Sequence, residues 1–443
     1  MSFKTLQTKR HFIFNKIIVG IDPAKKKHQA AMIGADGLQM GNSFTFSTTY
    51  AGFNQDLWIK LKKIMPDVNT NHVVFAIETS CNLWQTLASH LQRTGYEVLL
   101  VSPLSTKYSR PAMNHDFSKT DPKDALLIAS NTRNGHFDFF RNYSDHIIAM
   151  HRLAITYYKL RNDYIRNLQR LRSVIERVFP EFLQVMQADS ATARYLLKKY
   201  LRPQDFLDLN LNQEAEAISK ISCKKFNLDT LHRLQQDARH SIGIPTHHEN
   251  ILVERLSVDA WLMIIEILKN QIDAVFEQLL ILVKQTPYYD LLNSFRGLGI
   301  SDILIALFIA ETRNLADYNH YKKLEKLAGY NLRRNDSGQY IGQRKINRIG
   351  NKRLSWILYW MTKGAAKHIP EVALKYLRRQ MHHAKHRKNI VACIPVLLKL
   401  IVAMVREQRP YQLREEKIKE LEILRQAFAA QKENKKEKRL HAA

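Results

Sequence analysis

Five side chains in this chain have types and spacings suited to work on a phosphate. Asp22 closes the apolar run Ile17-Ile18-Val19-Gly20-Ile21, and Glu78 closes a second, His72-Val73-Val74-Phe75-Ala76-Ile77. An acid that ends a buried strand emerges at the edge of the sheet. In Lys119-Thr120-Asp121-Pro122-Lys123-Asp124-Ala125, two aspartates stand three apart on an expected helix, so they share one face. Four carboxylates brought to one point repel unless cations sit among them, and oxygen-only ligands suit Mg²⁺ or Mn²⁺. Two such ions about 4 Å apart can clamp the attacking and leaving oxygens of a phosphate. Each acid alone also has an ordinary use: Asp121 is where a helix dipole favours negative charge.

The fifth side chain is Ser337, in the polar turn Asn335-Asp336-Ser337-Gly338. A serine there can simply satisfy its own backbone. It can also be a nucleophile, with Arg333, Arg334 and Arg344 stabilising charge on a pentavalent phosphorus. The stretch alone leaves both uses open. From Tyr321 to Lys388, 18 Lys and Arg stand against three acids, Glu325, Asp336 and Glu371. That imbalance exceeds an ordinary solvated face and suggests a surface that meets phosphates. Lys345, Arg348, Lys352 and Arg353 belong to it. Upstream, Arg296-Gly297-Leu298-Gly299 reads as the turn of a helix-hairpin-helix, whose bare N–H groups reach a phosphate at the start of the apolar helix Ile303–Glu311.

Composition points the same way. The formal charge is +27 over 443 residues, with ordinary apolar content. A globular chain so basic has a long polyanion as its natural partner, and DNA or RNA fits better than a membrane. No apolar run of about 18 residues is evident, so no transmembrane helix is expected. The basic segment Met1–Asn15 lacks the apolar core and cleavage site of a leader. Cys81, Cys223 and Cys393 form neither a zinc pattern nor an even disulfide set, which suggests a reducing cytosol. His247-His248 and His382-His383 have no matching second ligand pair and read as surface residues.

These groups need elements to hold them. Ile17–Asp22, His28–Ile33 and about Gly41–Ser47 read as three antiparallel strands, with Ala35-Asp36-Gly37 as a hairpin signal. A helix over Ala51–Met65, the strand His72–Glu78, the helix Leu83–Arg93 capped by Thr79-Ser80, the strand Tyr96–Val101 and the helix Lys119–Thr132 follow. Three antiparallel strands before two parallel crossovers match the order of the RNase H-like, or RuvC-like, α/β fold. Ile147–Val178 and Ile251–Gln285 are long amphipathic helices, read as an antiparallel coiled coil that is either a helical spacer or a dimerisation or nucleic-acid arm, with an insert over 184–247 that is irregular with short helices. Lys352–Lys363 is a helix whose Trp356, Tyr359 and Trp360 read as core. Ile390–Arg406 is an apolar helix, and the tail from Arg409 reads as a solvated, fraying helix. The expected division is a basic arm at 1–15, a RuvC-like catalytic domain at 16–145, a helical coiled-coil linker with insert at 146–287, an all-α, helix-hairpin-helix-like domain holding Ser337 at 288–408 and a charged tail at 409–443.

Together these residues resemble the DEDD transposases of the insertion-sequence one-ten family, relatives of the Piv-type DNA invertases. The resemblance covers about 16–135 and 288–370. Asp22, Glu78, Asp121 and Asp124 fall on the family's D-E-D-D pattern. Arg296-Gly297-Leu298-Gly299 falls on its G-x-G element, and Leu324 to Tyr330 on its L-A-x-x-A-G-L element. Ser337-Gly338 falls on its S-G element, and Arg348 to Leu354 on its K-x-G-N run. Asn335-Asp336 departs from the small residues often found before that serine. The resemblance implies a recombinase that cuts and rejoins DNA at a target chosen by a structured bridge RNA. It implies Mg²⁺ on the four acids, a covalent link through Ser337, a dimer or tetramer, and a cytoplasmic setting. Two other readings keep the same fold: a RuvC-like nuclease that uses water, and a non-catalytic nucleic-acid-binding protein.

Overall fold

The computed structural model describes residues 3–80, 82–114, 118–222, 228–245, 248–333 and 335–440. The chain divides into two compact units, Met1–Asn142 and Tyr143–Ala443. Cys81, Cys223, His247 and Arg334 lie outside the described residues.

The first unit is a mixed α/β sheet. Helix α1 (Phe3–Phe12) precedes β1 (Ile17–Asp22), β2 (Lys27–Ile33) and β3 (Gln39–Ser47). A π-helical turn, Gly52–Asp56, leads into α2 (Leu57–Ile64). Then come β4 (Val73–Glu78), α3 (Leu83–Arg93), β5 (Glu97–Val101), α4 (Pro103–Asn114), α5 (Asp121–Arg133) and β6 (Asp138–Phe139). The sheet order is β3-β2-β1-β4-β5-β6. β1, β2 and β3 form an antiparallel meander, while β1–β4 and β4–β5 run parallel. Parallel strands must be covered on both faces, and β1 and β4 are buried almost throughout. Val19, Ile21, Phe75 and Ile77 pack on one face with Leu87 and Leu91 of α3. Ile18, Val74 and Ala76 pack on the other with Ile128 and Ala129 of α5.

Two features differ from the expectations above, and a third lies where none was made. The N-terminal segment carries α1, whose Lys9 is buried and paired with Asp138 at 2.9 Å. The residue that caps α3 is Asn82, without a side-chain bond, rather than Thr79-Ser80. Residues 103–114 form a helix despite Pro111 inside it.

The second unit is helical. Its long helices α6 (Asp145–Val178) and α12 (His248–Lys284) flank five shorter ones: α7 (Phe182–Val185), α8 (Ala191–Lys199), α9 (Pro203–Leu207), α10 (Leu211–Ser222) and α11 (Leu228–Arg239). Met150 and Ala154 of α6 share a core with Leu279 and Val283 of α12, whereas Leu171 and Ile175 share one with Val258 and Leu262. The two helices therefore run antiparallel, and Arg177 pairs with Glu254 at 2.8 Å near one end. The short helices expected in the insert are present, and they form a cluster that buries Phe182, Leu196, Phe206 and Leu231 on the ends of these helices.

After α12 come α13 (Tyr289–Asn293), α14 (Asp302–Thr312) and α15 (Tyr321–Leu327), then four two-residue strands. These are β7 (Leu332–Arg333), β8 (Asp336–Ser337), β9 (Tyr340–Ile341) and β10 (Lys345–Ile346). The chain finishes with α16 (Lys352–His368), α17 (Pro370–Met381), α18 (His386–Glu407) and α19 (Glu415–Leu440). By length and composition α18 could cross a membrane, which corrects the expectation that no segment could. Its Ile394, Leu397, Leu398 and Ile401 are instead buried in the core of this unit with Phe308 and Leu358. Trp356 and Tyr359 pack partly buried against that core, while Trp360 is 39% exposed with Lys363 over its ring. The tail helix packs Leu421 on Ala373 and Leu374.

Candidate functional site

In the first unit, β1 and β4 pair in parallel through Ile21 and Ile77, so Asp22 and Glu78 are the next residues on adjacent strand ends. Side chains alternate along a strand, so Ile18, Gly20 and Asp22 share one face, as do Val74, Ala76 and Glu78. That face is the one α5 covers. Gly20 lets the helix come this close. A Cβ at Gly20 would lie 2.3 Å from the Ala125 carbonyl oxygen and 2.6 Å from the Ala129 nitrogen. Any side chain there would push α5 away, and with it Asp121 and Asp124 in its first turn.

The four acids sense one another. Asp22 is pushed up to about 6, by burial first and then by the charges of Glu78, Asp124 and Asp121, against a small opposing effect of Lys119. Two of the acids are also held from α4. Arg110 donates two hydrogen bonds to Asp124 Oδ1, at 3.1 and 2.7 Å, and Asp124 is buried. Buried Thr106 donates to Glu78 Oε1. Ser109 of α4 donates to Asn131 of α5 at 2.7 Å, tying the two helices together. Among the described residues, no three His, Cys, Asp or Glu side chains converge closely enough to hold a metal ion. The expected convergence on one point is thus only partial. Arg110 and Thr106 engage Asp124 and Glu78 from α4 instead.

Arg110 and Thr106 are missing from the sequence reading. Their signal is weak, since a Ser/Thr-rich stretch with an internal proline does not read as a helix.

Ser337 belongs to the second unit. β8 and β9 form a hairpin in which Ser337 faces Tyr340 and Asp336 faces Ile341. Gly338 has φ +53°, and Gln339 is not left-handed. A left-handed glycine at the first central position marks a type II′ turn. Both Asp336 and Ser337 are exposed. β7 and β10 form an outer ribbon that pairs Arg333 with Lys345. Arg344 lies 3.4 Å from Asp336, partly offsetting the one acid beside the serine.

The base of this ribbon is anchored by a buried carboxylate. Glu311, at the end of α14, accepts from Asn351 Nδ2 at 2.6 Å and from Arg353 Nη2 at 3.2 Å, with a second, shorter bond from Arg353 Nε. His151 of α6 lies 3.6 Å away. Burial opposes ionisation of Glu311, but the bonds from His151, Arg353 and Asn351 together outweigh it and hold the carboxyl at about 2. Asn351 also caps α16 by accepting from the backbone of Arg353 and Leu354. Arg353 is therefore engaged by Glu311, whereas Arg333, Lys345 and Arg348 lie on the exposed ribbon and its return. Arg348 adopts a left-handed φ of 62° and donates its N–H to the Gly329 carbonyl.

The turn before α14 has two different glycines. Gly297, at φ 82°, has open space where a Cβ would sit. Gly299, at φ 84°, packs against α16, and a Cβ there would lie 2.7 Å from the Gly364 carbonyl oxygen. Arg296 is mostly exposed and lies 3.3 Å from Asp302. Lys352 is exposed at the start of α16.

Two family models match this chain. One, for the DEDD transposases of IS110 and described as a transposase, covers residues 19–180. The other, described as the transposase IS116/IS110/IS902 family, covers residues 290–378. No curated protein matches.

Proposed function

Because this chain belongs to the IS110 family of transposases, we propose that it breaks and rejoins DNA through Ser337, assisted by the carboxylates Asp22, Glu78, Asp121 and Asp124. The observation that carries this reading is a pairing of two unlike sites. One is a set of acids, Asp22 and Glu78 half-buried at the carboxyl ends of β1 and β4 with buried Asp124 and exposed Asp121 in the first turn of α5, and the other is a solvent-facing serine on a basic ribbon. In open α/β sheets, ligands gather at the carboxyl ends of the strands. We read the sheet as RuvC-like and the turn at Gly297 as helix-hairpin-helix-like.

In this reading the Ser337 hydroxyl attacks phosphorus. A phosphoserine bond forms as the bond to the departing sugar oxygen breaks, and the serine proton ends on that oxygen. Rejoining reverses the exchange with a new strand end, so no bond energy is lost to water. Arg333, Arg334, Arg344 and Lys345 neutralise the phosphate oxygens as charge builds. Arg296, Gly297, Gly299, Arg348, Lys352 and the anchored Arg353 keep the duplex in register, through backbone N–H groups and positive charge.

In chemistry, though not in the spacing found here, the donor set suits a hard divalent cation. It is oxygen-only, and the raised Asp22 is the state that such an ion relieves. Asp22, Glu78, Asp121 and Asp124 would hold Mg²⁺ or Mn²⁺, which when bound supplies positive charge at the scissile phosphate. A homo-oligomer, dimer or tetramer, is the expected assembly. A structured guide RNA is the expected second polyanion, and the net charge of +27 suits two such partners.

The test is a covalent trap. Wild-type protein incubated with element-end DNA should give a denaturant-resistant protein–DNA adduct, and Ser337→Ala should give none while binding the same DNA with unchanged salt dependence. An adduct that persists in Ser337→Ala rejects the nucleophile. Nicked DNA without any adduct favours hydrolysis by water.

A further inference from the structure

Tyr340 stands out among the residues near the serine. It is 65% exposed. Among the described residues it has no aromatic neighbour and no side-chain hydrogen bond. An unpartnered tyrosine ring on a two-residue strand contributes nothing evident to the core of this unit, whose apolar residues lie elsewhere.

Its position is set by the turn. Ser337 and Tyr340 are the closing pair of the type II′ turn and lie directly opposite each other. Residues opposite each other on an antiparallel pair point to the same face, with Cβ atoms about 5 Å apart. The phenol ring and the serine hydroxyl therefore stand side by side. Asp336 and Ile341, the neighbouring pair, point to the other face. The ribbon around them exposes Leu332 and Ile341 beside the cations Arg333, Arg344 and Lys345, and those charges suit a polyanion.

We propose that Tyr340 is a nucleobase-stacking site, whose ring takes the base next to the phosphate that Ser337 attacks. Every base offers a flat face to an aromatic ring, so stacking holds the nucleotide without reading its sequence. The ring fixes the sugar–phosphate beside the serine and favours DNA whose stack is already opened at the cleavage step. The inference rests on the reading of Ser337 as nucleophile. It adds the ligand class that the same turn would grip.

The test uses full-length protein and element-end DNA with 2-aminopurine placed base by base through the end. To keep binding separate from chemistry, it is run in the Ser337→Ala background and again with the active serine. At one position the fluorescence should be quenched on binding. Adding Tyr340→Ala should abolish that quench and weaken binding by about tenfold, the size expected for one stacked base. Tyr340→Phe should restore both. With the active serine, Tyr340→Ala should lower adduct yield by a similar factor on intact DNA, and by little on DNA abasic at that position. Unchanged quenching in Tyr340→Ala overturns the proposal, as does a Tyr340→Phe variant as weak as Tyr340→Ala. Failure of the serine reading looks different: an adduct survives Ser337→Ala while the quench still depends on the ring.

Discussion

The acid site and the serine ribbon solve opposite problems. Two of the acids end strands and two open the helix that covers them, and Asp22 is buried enough to resist ionisation. Their placement is rigid, because Gly20 lets α5 touch β1 and because α4 grips two of the carboxylates. Their difficulty is charge. The serine has no such conflict. It is exposed, surrounded by cations and carried on strands of two residues. Its difficulty is position, because so short a ribbon has little packing of its own. The buried Glu311 at its base supplies what the ribbon lacks. One site is thus held firmly and needs charge relief, and the other is relieved of charge and needs holding.

The contrast breaks first at Asp22. Asp22→Asn should lower DNA cleavage by about a hundredfold or more, the scale for losing a group that stabilises transition-state charge. DNA affinity and its salt slope should stay near wild type, measured by filter binding over a salt series. Cleavage that survives would show the acid site to be idle.

Next is the anchor. Glu311→Ala leaves Arg353 without its partner, so the second unit should lose about 3 kcal/mol or more in urea unfolding. The effect should vanish in a double variant that also replaces Arg353, if the pair acts as a unit.

Acid titration sharpens the same point. Glu311 is held at about 2, below its ordinary 4.5. A depressed carboxyl contributes stability that is complete above 4.5 and fades as the pH falls toward 2, because the unfolded chain takes up the proton first. The unfolding midpoint of the wild type should drop across that window more steeply than that of Glu311→Gln, followed by circular dichroism.

The smallest effect is expected at the turn. Gly338→Ala keeps the space open but places a Cβ at φ +53°. It should cost about 1 kcal/mol. That cost falls on the hairpin alone, so the global melting temperature should hold while amide exchange at 336–341 quickens.

Much of the first unit is legible from sequence. β1, β2, β4 and β5 are apolar runs bounded by turns, and their order alone implies a meander followed by parallel crossovers. The acids are legible as candidates because they end such runs or share a helical face. What holds them is not. α4 is polar, contains Pro111 and has little apolar periodicity, so Arg110 and Thr106 carry no local signal. Between α6 and α12 the sequence shows short helices but not their bounds, and their core forms only when all of them meet. Glu311 looks like the last residue of an apolar helix. Its partners lie 40 and 42 residues later and on α6, and only the folded chain brings such groups together.

The contact between Gly299 and Gly364 has a bearing on inheritance. Neither position has room for even a methyl group. Drifting copies of a mobile element therefore meet a barrier at both codons, where almost any missense change wedges the turn before α14 away from α16. Inactivating changes should therefore collect at these two codons in decayed copies, through a clash with backbone that no side-chain adjustment relieves.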